Sequence, residues 1–150
     1  MEDAQSRYIS SVTSEFISEV MCFCAEKYQM SPDEVAILSL VASESVRKMR
    51  NNAYLARHFG GEKNALPVGE RLPVSVKLVH TRLGMSRETI RRKMKIMAEK
   101  RLIEKTKGGF VVPAQMGPDD YSYELRVFLV KRLMLLEKYV KNMPDDTLSA

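Results

Sequence analysis

The chain has 150 residues, of which 45% are hydrophobic and 29% are charged. This composition excludes a disordered or fibrous chain, and the length suits one folding unit or a small module with helical extensions. No window holds about 18 uncharged apolar residues, and the N-terminal MEDAQSRY lacks the cationic and apolar regions of a secretion signal. We therefore expect a soluble, cytoplasmic protein.

The first two predicted elements are long helices. Residues 4–29 carry apolar side chains at steps of three and four, which predicts a helix that ends near Met30; they include Ile9, Val12, Phe16, Val20 and Phe23. Ser31-Pro32-Asp33-Glu34 then provides an N-cap, a proline for the first turn and two acids that suit the positive end of a helix dipole. The second helix is predicted to continue to Gly60-Gly61.

A glycine- and proline-rich connection, GGEKNALPVGERLP, precedes two shorter helices joined by a tight turn. Ser75 is placed to cap the helix VKLVHTRL, and Gly84 is placed to end it. Ser86 is placed to cap the next helix, which is predicted to run to about Lys100. A three-residue turn between two helices is the spacing of a helix-turn-helix.

A wing and a final helix are predicted after the helix-turn-helix. Two β-prone runs, Leu102–Thr106 and Phe110–Val112, flank Lys107-Gly108-Gly109, which predicts a tight hairpin. Pro113–Asp120 is expected to be a loop, and Tyr121–Asn142 a helix. That helix is apolar on two sides, which predicts burial between its own subunit and a second copy.

Positive charge is concentrated around the helix-turn-helix. The chain carries a net charge of +5, whereas Arg71 to Lys107 alone holds twelve cations against three anions, a net +9 that leaves −4 for the rest. A basic block in an otherwise acidic chain is expected when one face meets nucleic acid. The simpler interpretation is a solvated surface helix, but the cap, turn, apolar spacing and wing agree with one another and weigh against it.

The stretch GMSRETIRRKMKIMAEKRLI resembles the second half of the winged helix-turn-helix of the cyclic-AMP receptor (Crp/Fnr) family. ERLPVSVKLVHTRLG and the GGFVV of the wing are similar to the GntR-type module, and the long flanking helices resemble MarR-type dimers. The resemblance implies a mainly α fold with a winged helix-turn-helix over residues 71–113 and a small two-stranded wing. An N-terminal helical region (1–60) and a C-terminal helix (120–143) would form a dimerisation region.

The resemblance also implies a set of DNA contacts with distinct roles. Arg87, Glu88 and Arg92 would meet base edges, since a guanidinium can donate two hydrogen bonds to guanine and a carboxylate can accept from cytosine N4. Ser86 and Thr89, at a helix N-terminus, suit phosphate oxygens. The remaining cations would supply charge and register without reading sequence; they are Arg91, Lys93, Lys95, Lys105 and Lys107.

These features predict a bacterial, sequence-specific double-stranded-DNA-binding transcription regulator that acts as a homodimer on an inverted repeat. The alternative is a winged-helix scaffold for another protein, with only non-specific DNA binding. No nucleophile–base pair, P-loop or metal-ligand cluster is visible in the sequence, so no enzyme, metal or cofactor is expected. The sequence leaves open whether a small-molecule effector binds, and His80 is more simply a turn histidine with a hydrogen bond than a sensor.

Overall fold

The computed structural model describes residues 3–61, 63–114 and 122–144. Within them the chain is mainly helical with one two-stranded antiparallel sheet, which confirms the predicted mainly α winged-helix fold. The helices are α1 (Asp3–Tyr28), α2 (Pro32–Ser45), α3 (Arg47–Arg50), α4 (Ala53–Phe59), α5 (Val76–Leu83), α6 (Arg87–Glu99) and α7 (Ser122–Lys141), the strands are β1 (Glu104–Thr106) and β2 (Gly109–Val111), and a 3-10 turn spans Val68–Glu70. Two compact units result, one of α1 with α7 and one from α2 to β2.

The first unit is a pair of antiparallel helices. Contacts from one end of the pair to the other join Tyr8 to Tyr139, Glu19 to Arg132, Phe23 to Phe128 and Lys27 to Glu124. Residue numbers rise along α1 as they fall along α7, so the two helices run in opposite directions. The rings of Phe23 and Phe128 stack with their centroids 4.2 Å apart. The predicted final helix is thus confirmed from Ser122 on, whereas residues 115–121 lie outside the described residues.

The predicted start of α2 is confirmed. The Ser31 Oγ accepts a hydrogen bond from the Glu34 N–H at 3.3 Å, and the Glu34 carboxylate accepts one from the Ser31 N–H at 3.5 Å. The two residues therefore form a capping box. Pro32 occupies the first turn, where its missing N–H costs no helical hydrogen bond.

The prediction of one continuous second helix is wrong, because the structure divides it into α2, α3 and α4. The first break follows Ser45, which is fully buried. Its carbonyl accepts a hydrogen bond from the Leu72 N–H at 2.9 Å, and its Oγ accepts one from the Val112 N–H at 3.4 Å. These bonds tie the end of α2 to segments on both sides of the helix-turn-helix. Asn52 then caps α4 by accepting from the Leu55 N–H at 3.1 Å.

The core of the second unit lies between α2, α5, α6 and the wing. Its most deeply buried side chains are Ile37, Val41, Val74, Val79, Ile90, Met94, Met97, Ile103 and Val111. Each such side chain contributes on the order of 1.5–3 kcal/mol by leaving water. The apolar stripe of α6 thereby attaches this helix to the core and determines which of its sides faces outward.

Two backbone hydrogen bonds join the wing to Val74, the residue before the Ser75 cap of α5. The Val74 N–H donates to the Phe110 carbonyl at 2.7 Å, and the Phe110 N–H donates to the Val74 carbonyl at 2.9 Å. Gly109 has φ 153° and lies so close to Val74 that an added Cβ would collide with the Val74 carbonyl. Only glycine fits this position. The hairpin prediction is therefore confirmed, with Lys105 paired opposite Phe110.

The first predicted wing strand begins too early, because Leu102 and Ile103 lie in the turn that follows α6. Arg101 has a left-handed φ of 61°. Its N–H donates to the Ala98 carbonyl, and the Leu102 N–H donates to the Met97 carbonyl, both at 3.0 Å. This is a Schellman motif, in which the chain turns back over the last helical carbonyls. The turn buries Leu102 and Ile103 before β1 starts.

Candidate nucleic-acid interface

Two serine caps and one left-handed glycine define the helix-turn-helix. The Ser75 Oγ accepts a hydrogen bond from the Leu78 N–H at 3.1 Å, and the Ser86 Oγ accepts one from the Thr89 N–H at 3.2 Å. Gly84 ends α5 with φ 70°, a conformation that favours glycine. All three sequence predictions are confirmed, and the turn between α5 and α6 consists of residues 84–86.

His80 holds this turn from the side of α5. Its Nδ1 lies 2.6 Å from the Met85 carbonyl oxygen. Since a carbonyl can only accept, Nδ1 carries the proton that is donated. His80 is therefore the turn histidine that the sequence predicts, and its hydrogen bond fixes the turn ahead of α6.

Helix α6 has one buried side and one exposed side. Ile90, Met94 and Met97 are 0% exposed and belong to the core. The side chains on the other side are exposed; they are Arg87, Glu88, Arg91, Arg92, Lys95, Ile96 and Glu99. Their spacing places them on one continuous surface of the helix. The structure therefore brings together five of the six charged residues of α6 that the sequence assigns to DNA.

Ser86 and Thr89, the two predicted phosphate contacts at the start of α6, are also in contact with each other. The Ser86 Oγ donates a hydrogen bond to the Thr89 Oγ1 at 2.8 Å, in addition to accepting from the Thr89 N–H. Ser86 is exposed and Thr89 is half-buried. Both hydroxyls lie where the first-turn N–H groups and the helix dipole favour an anion.

Lys93 does not join the exposed surface, contrary to its predicted role in supplying charge to DNA. Its side chain is only 17% exposed, and its Nζ lies 3.9 Å from the Asp33 carboxylate. The same Nζ donates to the Ser31 Oγ at 3.4 Å. Lys93 therefore connects α6 to the first turn of α2, and its charge serves the fold.

A cleft of 520 Å³ lies between α6 and the wing. It is lined by Ser75, Val76, Arg91, Lys95, Ala98, Lys105, Gly108, Gly109 and Phe110. Three of these residues are cations and none is an acid, which gives the cleft a positive potential. Lys107 is exposed in the hairpin turn beside it. The cleft thus connects the predicted contacts of α6 with those of the wing.

Arg71 is buried, although it is the first residue of the basic segment identified in the sequence. The residue is 8% exposed, its Nε donates to the Leu66 carbonyl at 2.8 Å, and its Nη1 donates to the Val112 carbonyl. Burial lowers the pKa of Arg71, and the Glu104 carboxylate opposes this shift. An arginine nevertheless stays charged at neutral pH. Nothing in the sequence separates Arg71 from the exposed cations, because its acceptors are backbone carbonyls that any residue could supply.

Comparison with known proteins agrees with this geometry. The family model for a DeoR-like helix-turn-helix domain matches residues 68–116, which contain α5, α6 and the wing. Searches of the curated proteins and of the solved structures return no match. The family match supports a winged helix-turn-helix, whereas the finer resemblance to the Crp, GntR and MarR types is not confirmed.

The described residues lack a membrane-spanning helix and a metal-ligand cluster. Within residues 3–61, 63–114 and 122–144, no helix is long and apolar enough to cross a membrane. In the same ranges no group of three or more His, Cys, Asp or Glu residues is placed to hold a metal ion. Regulators with this type of domain are typically not enzymes. The match over α5, α6 and the wing supports a DNA-binding helix-turn-helix domain of the type found in transcription regulators.

Proposed function

We propose that the protein is a sequence-specific double-stranded-DNA-binding transcription regulator that acts as a homodimer. The observation that carries the proposal is one exposed surface that runs from α6 across the cleft to the wing. We call it the basic face and define it by Arg87, Glu88, Arg91, Arg92, Lys95, Lys105 and Lys107. The major groove of B-DNA admits one α-helix, and a convex helix with an adjoining wing suits that groove and the flanking backbone.

Base readout is assigned to Arg87, Glu88 and Arg92. The two guanidinium groups can each donate two hydrogen bonds to guanine O6 and N7, and the Glu88 carboxylate can accept from cytosine N4. Glu88 supports the specific reading in particular. A carboxylate on a surface that only attracted phosphate would weaken binding, whereas one that selects a base is useful there.

Backbone contacts are assigned to the remaining polar and charged groups around the cleft. Thr89 would donate its hydroxyl hydrogen to phosphate at the start of α6, and Ser86 would do so after its hydroxyl turns away from the Thr89 Oγ1. The helix N-terminus adds its own attraction there. The cations Arg91, Lys95, Lys105 and Lys107 would set register through charge, without regard to sequence. Each phosphate that is neutralised makes the slope of log affinity against log salt concentration more negative by about 0.9.

A homodimer would place two copies of α6 in successive major grooves. Half-sites of an inverted repeat would then lie about one helical turn, roughly 10 base pairs, apart. Support for a dimer comes from α7, where Val130, Leu133 and Met134 are each more than half exposed. Apolar side chains on one side of a helix favour contact with a partner.

The test is iterative selection from random duplex DNA with the purified full chain at near-physiological salt. We expect recovery of an inverted repeat. The triple variant Arg87→Ala/Glu88→Ala/Arg92→Ala should recover no motif while keeping the wild-type melting temperature, because all three side chains are exposed. If wild-type protein recovers no motif and its binding vanishes as salt rises, only phosphate attraction remains and the scaffold function replaces the proposal.

A further inference from the structure

Helix α7 leaves one of its sides uncovered. Six side chains along this side, spaced three and four residues apart, are exposed. We call them the outer stripe; they are Tyr123, Arg126, Val130, Leu133, Glu137 and Val140. The four uncharged members are 50–60% exposed, and the neighbouring Met134 is 63% exposed. Exposing so apolar a side to water costs free energy unless another surface covers it.

The other side of α7 is already occupied by α1. Phe128 stacks on Phe23, and the Tyr139 carbonyl accepts a hydrogen bond from the Tyr8 hydroxyl. None of the outer-stripe residues takes part in these contacts. The helix therefore has two separate faces, one packed on α1 and one whose apolar side chains, Tyr123, Val130, Leu133 and Val140, are exposed.

The outer stripe is complementary to itself when two copies of α7 lie antiparallel. With a two-fold axis that passes between Lys131 and Arg132, Val130 faces Leu133 of the partner subunit. One layer further out, Arg126 faces Glu137 of the partner subunit. In the outermost layer, Tyr123 faces Val140 of the partner subunit. Apolar side chains therefore meet apolar side chains, and opposite charges meet between them, as in an antiparallel coiled-coil seam.

A parallel arrangement of the same two helices lacks this complementarity. Each residue would then face its own copy, so that Arg126 would face an arginine and Glu137 a glutamate. Like charges placed opposite each other are destabilising. The charge pattern of the outer stripe therefore selects the antiparallel arrangement and its register.

We propose that the outer stripe binds the outer stripe of a second copy of this chain in this antiparallel register. The inference rests on the homodimer of the proposed function and adds the surface that forms it. Since α1 and α7 are themselves antiparallel, two copies joined along α7 would form a four-helix arrangement. The Glu137 Oε1 lies 2.7 Å from the Lys141 Nζ, and a carboxylate has enough acceptor sites to hold a second cation as well.

The first test is the mass of the purified full chain in solution, measured by sedimentation equilibrium without DNA. Wild-type protein is expected to be dimeric at micromolar concentration. Leu133→Glu places a carboxylate in each central layer and is expected to raise the dimer Kd by about 100-fold or more. Lys131→Glu reverses an exposed charge on the same helix outside the outer stripe, and it should change Kd by no more than about threefold.

The second test is a charge exchange across the interface. Arg126→Glu and Glu137→Arg should each raise the dimer Kd by roughly tenfold, because each creates like-charged pairs. The double variant Arg126→Glu/Glu137→Arg should return Kd to within about threefold of wild type. General damage to α7 cannot produce such a recovery, and circular dichroism of each variant checks that the helix remains.

Three results would overturn the inference: a monomeric wild-type protein, a Leu133→Glu variant with wild-type Kd, or a double variant no better than the single variants. The DNA selection reports separately on the basic face. A dimer that recovers no motif would remove base readout and leave the outer-stripe contact intact. A monomer that recovers one half-site would remove the contact and leave base readout intact.

Discussion

The basic segment Arg71–Lys107 has buried and exposed cations. The same types of side chain, arginine and lysine, have different roles in the two places. Arg71 and Lys93 face inward, where one donates to two backbone carbonyls and the other reaches the first turn of α2. Arg92 and Lys107 face solvent on the basic face. Cations close together in sequence therefore divide between holding the winged helix together and presenting charge outside it.

The number of cations in a stretch of sequence therefore overstates the positive charge that is available to DNA. Arg71 and Lys93 have partners in the interior of the second unit, and the Arg82 guanidinium, although exposed, lies 3.5 Å from the Glu44 carboxylate. An inward cation is held by carbonyls, hydroxyls or acids that replace its water shell, so its removal affects folding. An outward cation keeps its water, so its removal should affect only what binds there.

The largest expected effect is on stability, from Arg71→Met. The variant keeps much of the aliphatic length but leaves the Leu66 and Val112 carbonyls without their donor. We expect a loss of about 2–4 kcal/mol in the free energy of unfolding, measured by urea denaturation. Arg87→Met, at an exposed position, is the control and should stay within about 0.5 kcal/mol of wild type. Equal losses for both variants would contradict the division into inner and outer cations.

The next effect is on base recognition, from Arg92→Ala. We expect a cost of roughly 1–3 kcal/mol in binding to the selected DNA, concentrated at one base position where specificity is relaxed. The measurement is fluorescence anisotropy against a panel of single-base variants of the selected site. The thermal midpoint should not change, since Arg92 is exposed. A uniform loss across all sequences would reassign Arg92 to the phosphate backbone.

A smaller effect separates two lysines of the same helix. Lys93→Met should lower the free energy of unfolding by about 0.5–1 kcal/mol, because the contacts to Ser31 and Asp33 are long and Asp33 is well exposed. Lys95→Met should leave stability unchanged and should weaken binding to every DNA sequence alike. Urea denaturation measures the stability of both variants, and fluorescence anisotropy measures their affinity for DNA. If Lys93→Met weakened DNA binding as Lys95→Met does, the inward assignment of Lys93 would be wrong.

The smallest expected effect comes from Lys107→Ala in the hairpin turn. Loss of one phosphate contact should flatten the slope of log affinity against log salt concentration by about one unit, equally for selected and random DNA. Titrations at several salt concentrations measure this slope. An unchanged slope would mean that the wing tip does not reach the backbone.

Much of the DNA-binding module could be predicted from the sequence because its signals are local. Ser75, Gly84 and Ser86 act within one turn of chain, and each has the predicted partner or backbone angle. The apolar spacing of α6 likewise predicted its buried side. The errors arose where distant segments compete for local groups, as when the Ser45 carbonyl bonds to the Leu72 N–H and α2 ends there.

The helix-turn-helix, its wing and a long C-terminal helix with apolar residues on two sides can all be identified in the sequence alone. Caps, turn glycines and apolar periodicity operate over a few residues, so they can be identified without knowing the fold. Packing between distant segments, in contrast, sets which cations face inward, where the second helix breaks and which side of α7 stays exposed. Those outcomes depend on hydrogen-bond partners and packing neighbours that are far away along the chain, and a periodic pattern contains no information about them.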